Sequence, residues 1–447
     1  MKKVYVVHVV DAEGPLQEDL LANFERVKEE FGYSVNPTHE NLKKLQNKEI
    51  DLNGLEEVVS RMLSLSRISY NETWDQIDRM LDTITSNKFR KTLEDCDKNG
   101  WVYNWLCMDH VGIDGVNPRR RDLGFHNIFD HYVNYLSEKN STDLIQWHYH
   151  SLSITNDAHR CGSAYLNSNH IHSILSRRII DRSWFPSVFR AGHNTQRPDS
   201  NFFLEQWIPF DYSNTSTPDM ADHKDISSAR YGDWRHAPSD WTPYHPSHDN
   251  YQVKGGCRRF IARCLPIDDR GYSISHRDVF QAFEDASKNG SSILSITNHD
   301  FRDMETDVLK MMDLLKKVSS NFPDVDFKYS NAIEAMRKVC SISKVSEIGI
   351  SVELEKYKNH TRLNVWVKNK IFGPQPYLAI KTLGGDYYWQ NFDFEKDNQW
   401  SYSFDSGNLM IDAVAEIGIA ANTICGLTEV VNVIPDTGKI INTILNR

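Results

Sequence analysis

VYVVHVVDAEGP, residues 4–15, is the stretch from which the rest of the chain reads. Val4 to Val10 is a short apolar run rich in β-branched residues, as in a strand buried on both faces. It ends in two carboxylates one residue apart, Asp11 and Glu13, and Gly14-Pro15 then stops it. Side chains two apart on a strand share a side, so both acids face one place. Parallel α/β folds bind their ligands at the carboxyl ends of their strands, where this pair lies.

The 447 residues suit two to three domains of usual size, or one large domain with insertions plus a small one. Hydrophobic residues make up 40% and charged residues 25%, as in an ordinary soluble globular protein. A net charge of −10 argues against nucleic acid as the main partner, with Arg119-Arg120-Arg121 as a local basic run. The seven cysteines are scattered and form no CxxC pair, so neither a disulfide framework nor a thiolate zinc site is expected. With no secretion signal and no apolar run of membrane-spanning length, the expected location is cytoplasmic. Of 18 histidines, 15 lie between His110 and His299, and some of these need a site.

Residues 15–100 carry helical spacing and read as a helical insertion. PLQEDLLANFERVKEEFG opens on Pro15, repeats apolar residues at Leu16, Leu20, Leu21, Phe24 and Val27, and stops at Gly32. Strand-like WVYNWLCM, DLIQWHYH, SVFRAGHN, IPFDYSN, FIARCLPI, SSILSITNHD and DFKYSN then follow, mostly with helical segments between them. That order implies a parallel sheet or barrel. Residues 215–256 read as a long loop. From about 345 short alternating strands, such as EIGISVELEKY and RLNVWVKN, give an antiparallel β-sandwich signature. The expectation is an α/β chain: a (β/α) barrel over 1–340, incomplete or distorted, with the insertion, and a β-sandwich over 345–447.

Six strand ends carry titratable groups: Asp11 and Glu13, Asp109 and His110, His148 and His150, Arg190 and His193, Asp211, and His299 with Asp300. A lone case is a solvated loop residue; six together point to a shared rim. A carboxylate and two imidazoles with open positions form a catalytic divalent-metal set, and a second carboxylate beside it can take a proton from water.

These motifs resemble those of the polysaccharide deacetylases, the NodB-homology carbohydrate esterases. That resemblance implies an incomplete (β/α) barrel holding a metal on one acid and two histidines. It makes Asp11 the base and Glu13 a ligand. The family's usual His-x-x-x-His is here QWHYHS, so His148 and His150 complete the set, with His159 or His110 as alternatives for the second histidine. FRAG resembles the motif whose arginine pairs with the base, which assigns that part to Arg190. IPFDYSN, with Asp211 and Ser213, resembles the following Asp-Ser segment. ILSITNHD resembles the last motif and makes His299 the general acid.

The expected activity is removal of an N-acyl group, most readily acetyl, from an amino sugar or a precursor of a surface glycan, with zinc as the divalent metal. Asp109, His110, His193 and Asp211 are the expected substrate contacts on the rim. Trp234 and Trp241 are the expected contacts from the Trp-, Tyr- and His-rich stretch 231–251, read either as a substrate cover or as a structural excursion. Asp300 is placed to cap the helix that follows it. Two other functions fit the same residues: a glycoside hydrolase using Asp11 with Asp109 or Asp211, and a non-catalytic glycan-binding or scaffold protein.

Overall fold

The computed structural model describes residues 2–109, 124–152, 162–218, 232–267 and 272–446. Seven parallel strands close a barrel: β1 (Lys2–Ala12), β2 (Tyr103–Asp109), β3 (Leu144–Tyr149), β4 (Val188–Ala191), β5 (Phe210–Asn214), β6 (Phe260–Pro266) and β7 (Ser291–His299). The barrel is closed, where the sequence led us to expect an incomplete one. The length of β1 explains the difference. One edge pairs with β7 from Lys3 to Asp11. The other edge is shared: Lys2–Val6 pairs with an eighth strand, β8 (Val325–Tyr329), and His8–Ala12 pairs with β2. Closure therefore occurs at the carboxyl half of β1, beside Asp11.

Six helices lie between β1 and β2: α1 (Leu20–Phe31), α2 (His39–Gln46), α3 (Glu56–Met62), α4 (Leu65–Ile68), α5 (Trp74–Ile84) and α6 (Asn87–Arg90). The first four bury Phe24, Val27, Leu42, Leu45, Val59 and Ile68 in a small core of their own. Thr73 and Gln76 form a capping box that starts α5, and its Ile77, Leu81 and Ile84 face the barrel. Among the described residues the remaining α-helices are α7 (Asn127–Glu138), α8 (His170–Arg182), α9 (Pro198–Trp207), α10 (His276–Asn289), α11 (Met304–Ser319) and α12 (Ala332–Val339).

Strand alternation divides the apolar residues into two layers. Val7 and Val9 join Leu106, Val188, Tyr212, Cys264 and Ile293 in one cluster, together with Ile333 and Met336 of α12. Val4, Val6, Val10 and Ala12 instead pack with residues of α5, α7, α10 and α11 outside the barrel. Asp11 and Glu13 continue the Val7–Val9 phase, so the pattern that builds the core also aims both acids inward.

The carboxyl-terminal region forms two antiparallel sheets from β9 (Ile350–Lys356), β10 (Thr361–Val367), β11 (Tyr377–Thr382), β12 (Tyr387–Gln390), β13 (Asp393–Lys396), β14 (Gln399–Phe404), β15 (Val414–Asn422), β16 (Thr428–Ile434) and β17 (Lys439–Leu445). Their orders are β13-β14-β10-β9 and β12-β11-β15-β16-β17. Leu363, Val365, Leu378, Ile380, Ile417 and Ile419 fill the space between them. The other face of the five-stranded sheet, through Tyr377, Ala379, Ala420 and Val430, packs on Ile179, Phe203 and Trp207 of the barrel's helices. Among the described residues no helix is long and apolar enough to cross a membrane.

Candidate metal centre

Glu13, His148 and His150 meet at the carboxyl end of the barrel. His148 Nε2 is 2.9 Å from His150 Nε2, and Glu13 Oε1 is 3.2 Å from His150 Nε2 and 3.4 Å from His148 Nε2. Among the described residues, these are the three whose ligand atoms gather closely enough to hold a metal ion. Around a tetrahedral zinc with bonds of about 2.0–2.2 Å, neighbouring ligand atoms lie about 3.3–3.6 Å apart. The observed triangle is slightly tighter and presents three donors to one point. Two imidazole nitrogens facing each other beside a carboxylate are a favourable set for a cation.

The surrounding hydrogen bonds fix that orientation. His148 Nδ1 lies 3.1 Å from the Arg190 carbonyl oxygen, which can only accept, so Nδ1 carries the proton and Nε2 is left as a donor atom for an ion. Burial pushes the His148 pKa down, but Asp11 and Glu13 outweigh it and hold the group above its ordinary value. The carboxylates thus favour positive charge at this spot.

Glu13 is held from behind. Asp300 Oδ1 accepts from Glu13 N–H at 2.9 Å, and Asp300 Oδ2 accepts from Gly14 N–H at 2.9 Å and from the Tyr132 hydroxyl at 2.7 Å. Burial pushes the Asp300 carboxyl up to about 6, against the opposing pull of those three donors. Gly14 has φ +70, and a Cβ there would stand 2.9 Å from Trp74 Cη2. Only glycine fits this turn.

Asp11 lies beside the triad. Arg190 Nε donates to it, standing 3.0 Å from each carboxylate oxygen, while Nη1 donates to the Tyr212 carbonyl at 2.8 Å and Nη2 to Asn194 Oδ1 at 2.6 Å. Burial raises the Asp11 pKa, but Arg190, His148 and His299 together hold it below the usual carboxylate value. Asp11 Oδ1 has no aligned hydrogen-bond donor among the described residues. His299 Nε2 lies 3.8 Å from both Asp11 Oδ2 and Glu13 Oε1, with its side chain 29% exposed and its ring 4.7 Å from Phe301. The arrangement offers an ionised buried carboxylate with a free lone pair on one side and a solvent-reachable imidazole on the other.

Of the expected substrate contacts, His193 sits at the cluster, its ring 4.6 Å from that of His150. Its backbone is left-handed at φ 52, an uncommon state for a residue with a Cβ. Gly192 before it is required, because a Cβ there would fall 2.3 Å from His150 Cγ.

The other expected contacts are engaged elsewhere. Asp109 accepts from Trp147 Nε1 at 2.6 Å and is paired with Arg178 of α8, in phase with the outer residues of β2. Asp211 accepts from Gln196 and lies 3.5 Å from Arg259 Nε. Trp234 donates to the Asn194 carbonyl at 2.8 Å, and Trp241 to the Asp278 carbonyl at 2.8 Å; both are buried. With Tyr244 and Tyr251 also buried, the large aromatic side chains of 232–251 pack within the fold. Asp300 does not cap the next helix; Asp303 does, accepting from Glu305 N–H. His110, His159 and Arg119–Arg121 lie outside the described residues.

Sequence reasoning missed Tyr132 and Asn194 and misassigned Asp300. Asp300 carried a signal, since it directly follows His299 at a strand end. Tyr132 carried none, being one aromatic among many on an amphipathic helix. No family model, no curated protein and no solved structure matches this chain.

Proposed function

We propose that this protein is a metal-dependent N-deacylase that removes an acyl group, acetyl first among candidates, from an amino sugar or a glycan precursor. One observation carries the reading: the Glu13, His148 and His150 ligand atoms lie within 3.4 Å of one another beside Asp11, which Arg190 holds in its ionised form. A divalent ion held there, zinc by the nitrogen-and-oxygen donor set, supplies Lewis-acid polarisation of the scissile carbonyl when bound.

Asp11 takes a proton from the attacking water at Oδ1, the oxygen with no aligned donor. Water's oxygen forms the new bond to the carbonyl carbon. His299, on the solvent side, gives a proton to the amide nitrogen as the C–N bond breaks. The products are a carboxylic acid and a free amine. Arg190 touches none of the reacting atoms and acts by orienting Asp11. The sugar part of the reading is supported by the resemblance of the strand-end motifs to those of the polysaccharide deacetylases.

The test is an assay of N-acetylated amino sugars and their oligomers with metal-loaded and chelator-treated protein. Release of acetate with a matching free amine, lost on chelation, is the expected result. New reducing ends without free amine would replace the proposal with glycoside hydrolysis. That chemistry needs two flanking carboxylates, and Asp109 and Asp211 are both engaged with buried arginines. Stoichiometric metal with neither product would leave a binding protein.

A further inference from the structure

We propose that Asn71, in the helical insertion, is a positioning residue that fixes the Glu13 turn against the His299 turn, which makes the insertion a working part of the metal centre. The inference rests on the reading of Glu13, His148 and His150 as metal ligands.

The β1–β7 ladder ends at the pair Asp11 and His299. Past that point come the turn that carries Glu13 and, on the other strand, the turn that begins at Asp300. Asn71 lies between α4 and α5 and takes the place of the missing ladder. Its N–H donates to the Phe301 carbonyl at 2.8 Å, and its own carbonyl accepts from Leu16 N–H at 3.1 Å. Its side-chain Nδ2 donates to the Asp300 carbonyl at 2.9 Å and to the Arg302 carbonyl at 3.3 Å. One residue therefore bonds to the chain three residues after Glu13 and to three consecutive residues after His299.

The Asp300 carboxylate makes the second link, to Glu13 and Gly14, and Asn71 holds Asp300 by its carbonyl. Trp74, the first residue of α5, closes the back of the Gly14 turn, with its ring stacked on His131 at 3.8 Å. The insertion thus supplies both a strap and a wall to a loop that must place one carboxylate oxygen against two imidazoles. A site of this kind loses function steeply for displacements of about 1 Å.

Cobalt(II) titration followed by visible absorption is the test, because the band reports ligand geometry and needs no substrate. Asn71→Ala and Asn71→Asp both remove the two side-chain donors and keep the backbone bonds. The control is Thr38→Ala, which removes the cap of α2, in the same insertion, without touching Asn71, Trp74 or the Gly14 turn. The expected result is a changed band and weaker cobalt affinity, about tenfold or more, in whichever Asn71 variants fold, with Thr38→Ala like the unmodified protein. Wild-type titrations for the Asn71 variants would overturn the inference and leave the metal reading standing. An equal effect of Thr38→Ala would overturn it too, by showing that general loosening suffices. If the unmodified folded protein takes up no cobalt, the metal reading itself falls, and this inference with it.

Discussion

Arg190 Nε stands 3.0 Å from both carboxylate oxygens of Asp11, and both side chains are buried. Removing one member of such a pair strands the other charge. Arg190→Met should therefore destabilise the protein by about 3–5 kcal/mol, and adding Asp11→Asn should recover part of the loss. Asp11 has its pKa depressed in the folded state, so its stabilising contribution is present above its unfolded value. It is lost as pH falls through the folded value. Without Arg190, burial is less opposed and the Asp11 pKa rises, so the acid limb of the rate profile should move to higher pH. Urea unfolding and a pH–rate profile check both; an unmoved limb would remove Arg190 from the activation of Asp11.

The division of labour between Asp11 and Glu13 is separable by metal analysis. Glu13→Ala and His148→Ala should each lose bound metal, because each removes one of three donors lying within 3.4 Å of one another. Asp11→Asn should retain metal and lose turnover by about 10²–10⁴-fold, the usual worth of a general base. Full metal content in either ligand variant would sink the ligand assignment, and near-normal turnover in Asp11→Asn would sink its role as base.

The centre of the site was legible because it obeys the two-residue period of a strand. Asp11 with Glu13 and His148 with His150 share a phase with inward core residues, and that phase can be read from one sequence. The same rule misplaced Asp109 and Asp211. They also lie at strand ends, but in the opposite phase: Asp109 continues Tyr103, Trp105 and Cys107, which pack outside the barrel. Counting acids at strand ends without asking which way each faces put them on the rim. Trp234 and Trp241 were misplaced for another reason. Their neighbours are polar, yet each indole N–H finds a backbone carbonyl that lets the ring be buried. Barrel closure was hidden because it depends on β1 pairing with β8 below and β2 above, a long-range register. Helix α12 was overlooked although Asn331 and Glu334 signal its start; Asn331 accepts from Glu334 N–H.

The Asp300 carboxyl gives the site region a stability term of opposite sign to that of Asp11. Its folded pKa is raised to about 6, chiefly by burial, so between its unfolded value near 3.8 and about 6 the native state holds the proton more tightly. The stabilising contribution is full below that window and is lost as pH rises through it. Asp300→Asn cannot titrate. Denaturant unfolding of metal-free protein should find the wild type losing ground to Asp300→Asn from pH 4 to 7. Parallel stability curves would show that Asp300 does not titrate in that range.

The carboxyl-terminal sheets dock on the barrel at a place where no side chain fits. A Cβ on Gly418, in β15, would stand 2.5 Å from Ile179 Cγ2 and 3.2 Å from Ile180 Cγ1 of α8. Asn432 of the neighbouring strand donates to the Ile179 carbonyl at 3.2 Å, and Asn422 donates to the carbonyls of Pro186 at 2.7 Å and Trp207 at 2.8 Å. Gly418→Val must push the sheet away from α8 and stretch these bonds. Overpacking of this kind costs about 1–3 kcal/mol, so the urea midpoint should fall. The proposed metal ligands lie on β3 and in the turns that follow β1 and β3, not on α8, so the metal content of the folded variant should be unchanged. A variant as stable as the wild type would mean that the sheet rides loosely on the barrel. Loss of metal from a folded variant would mean that the sheet helps to shape the metal centre from a distance.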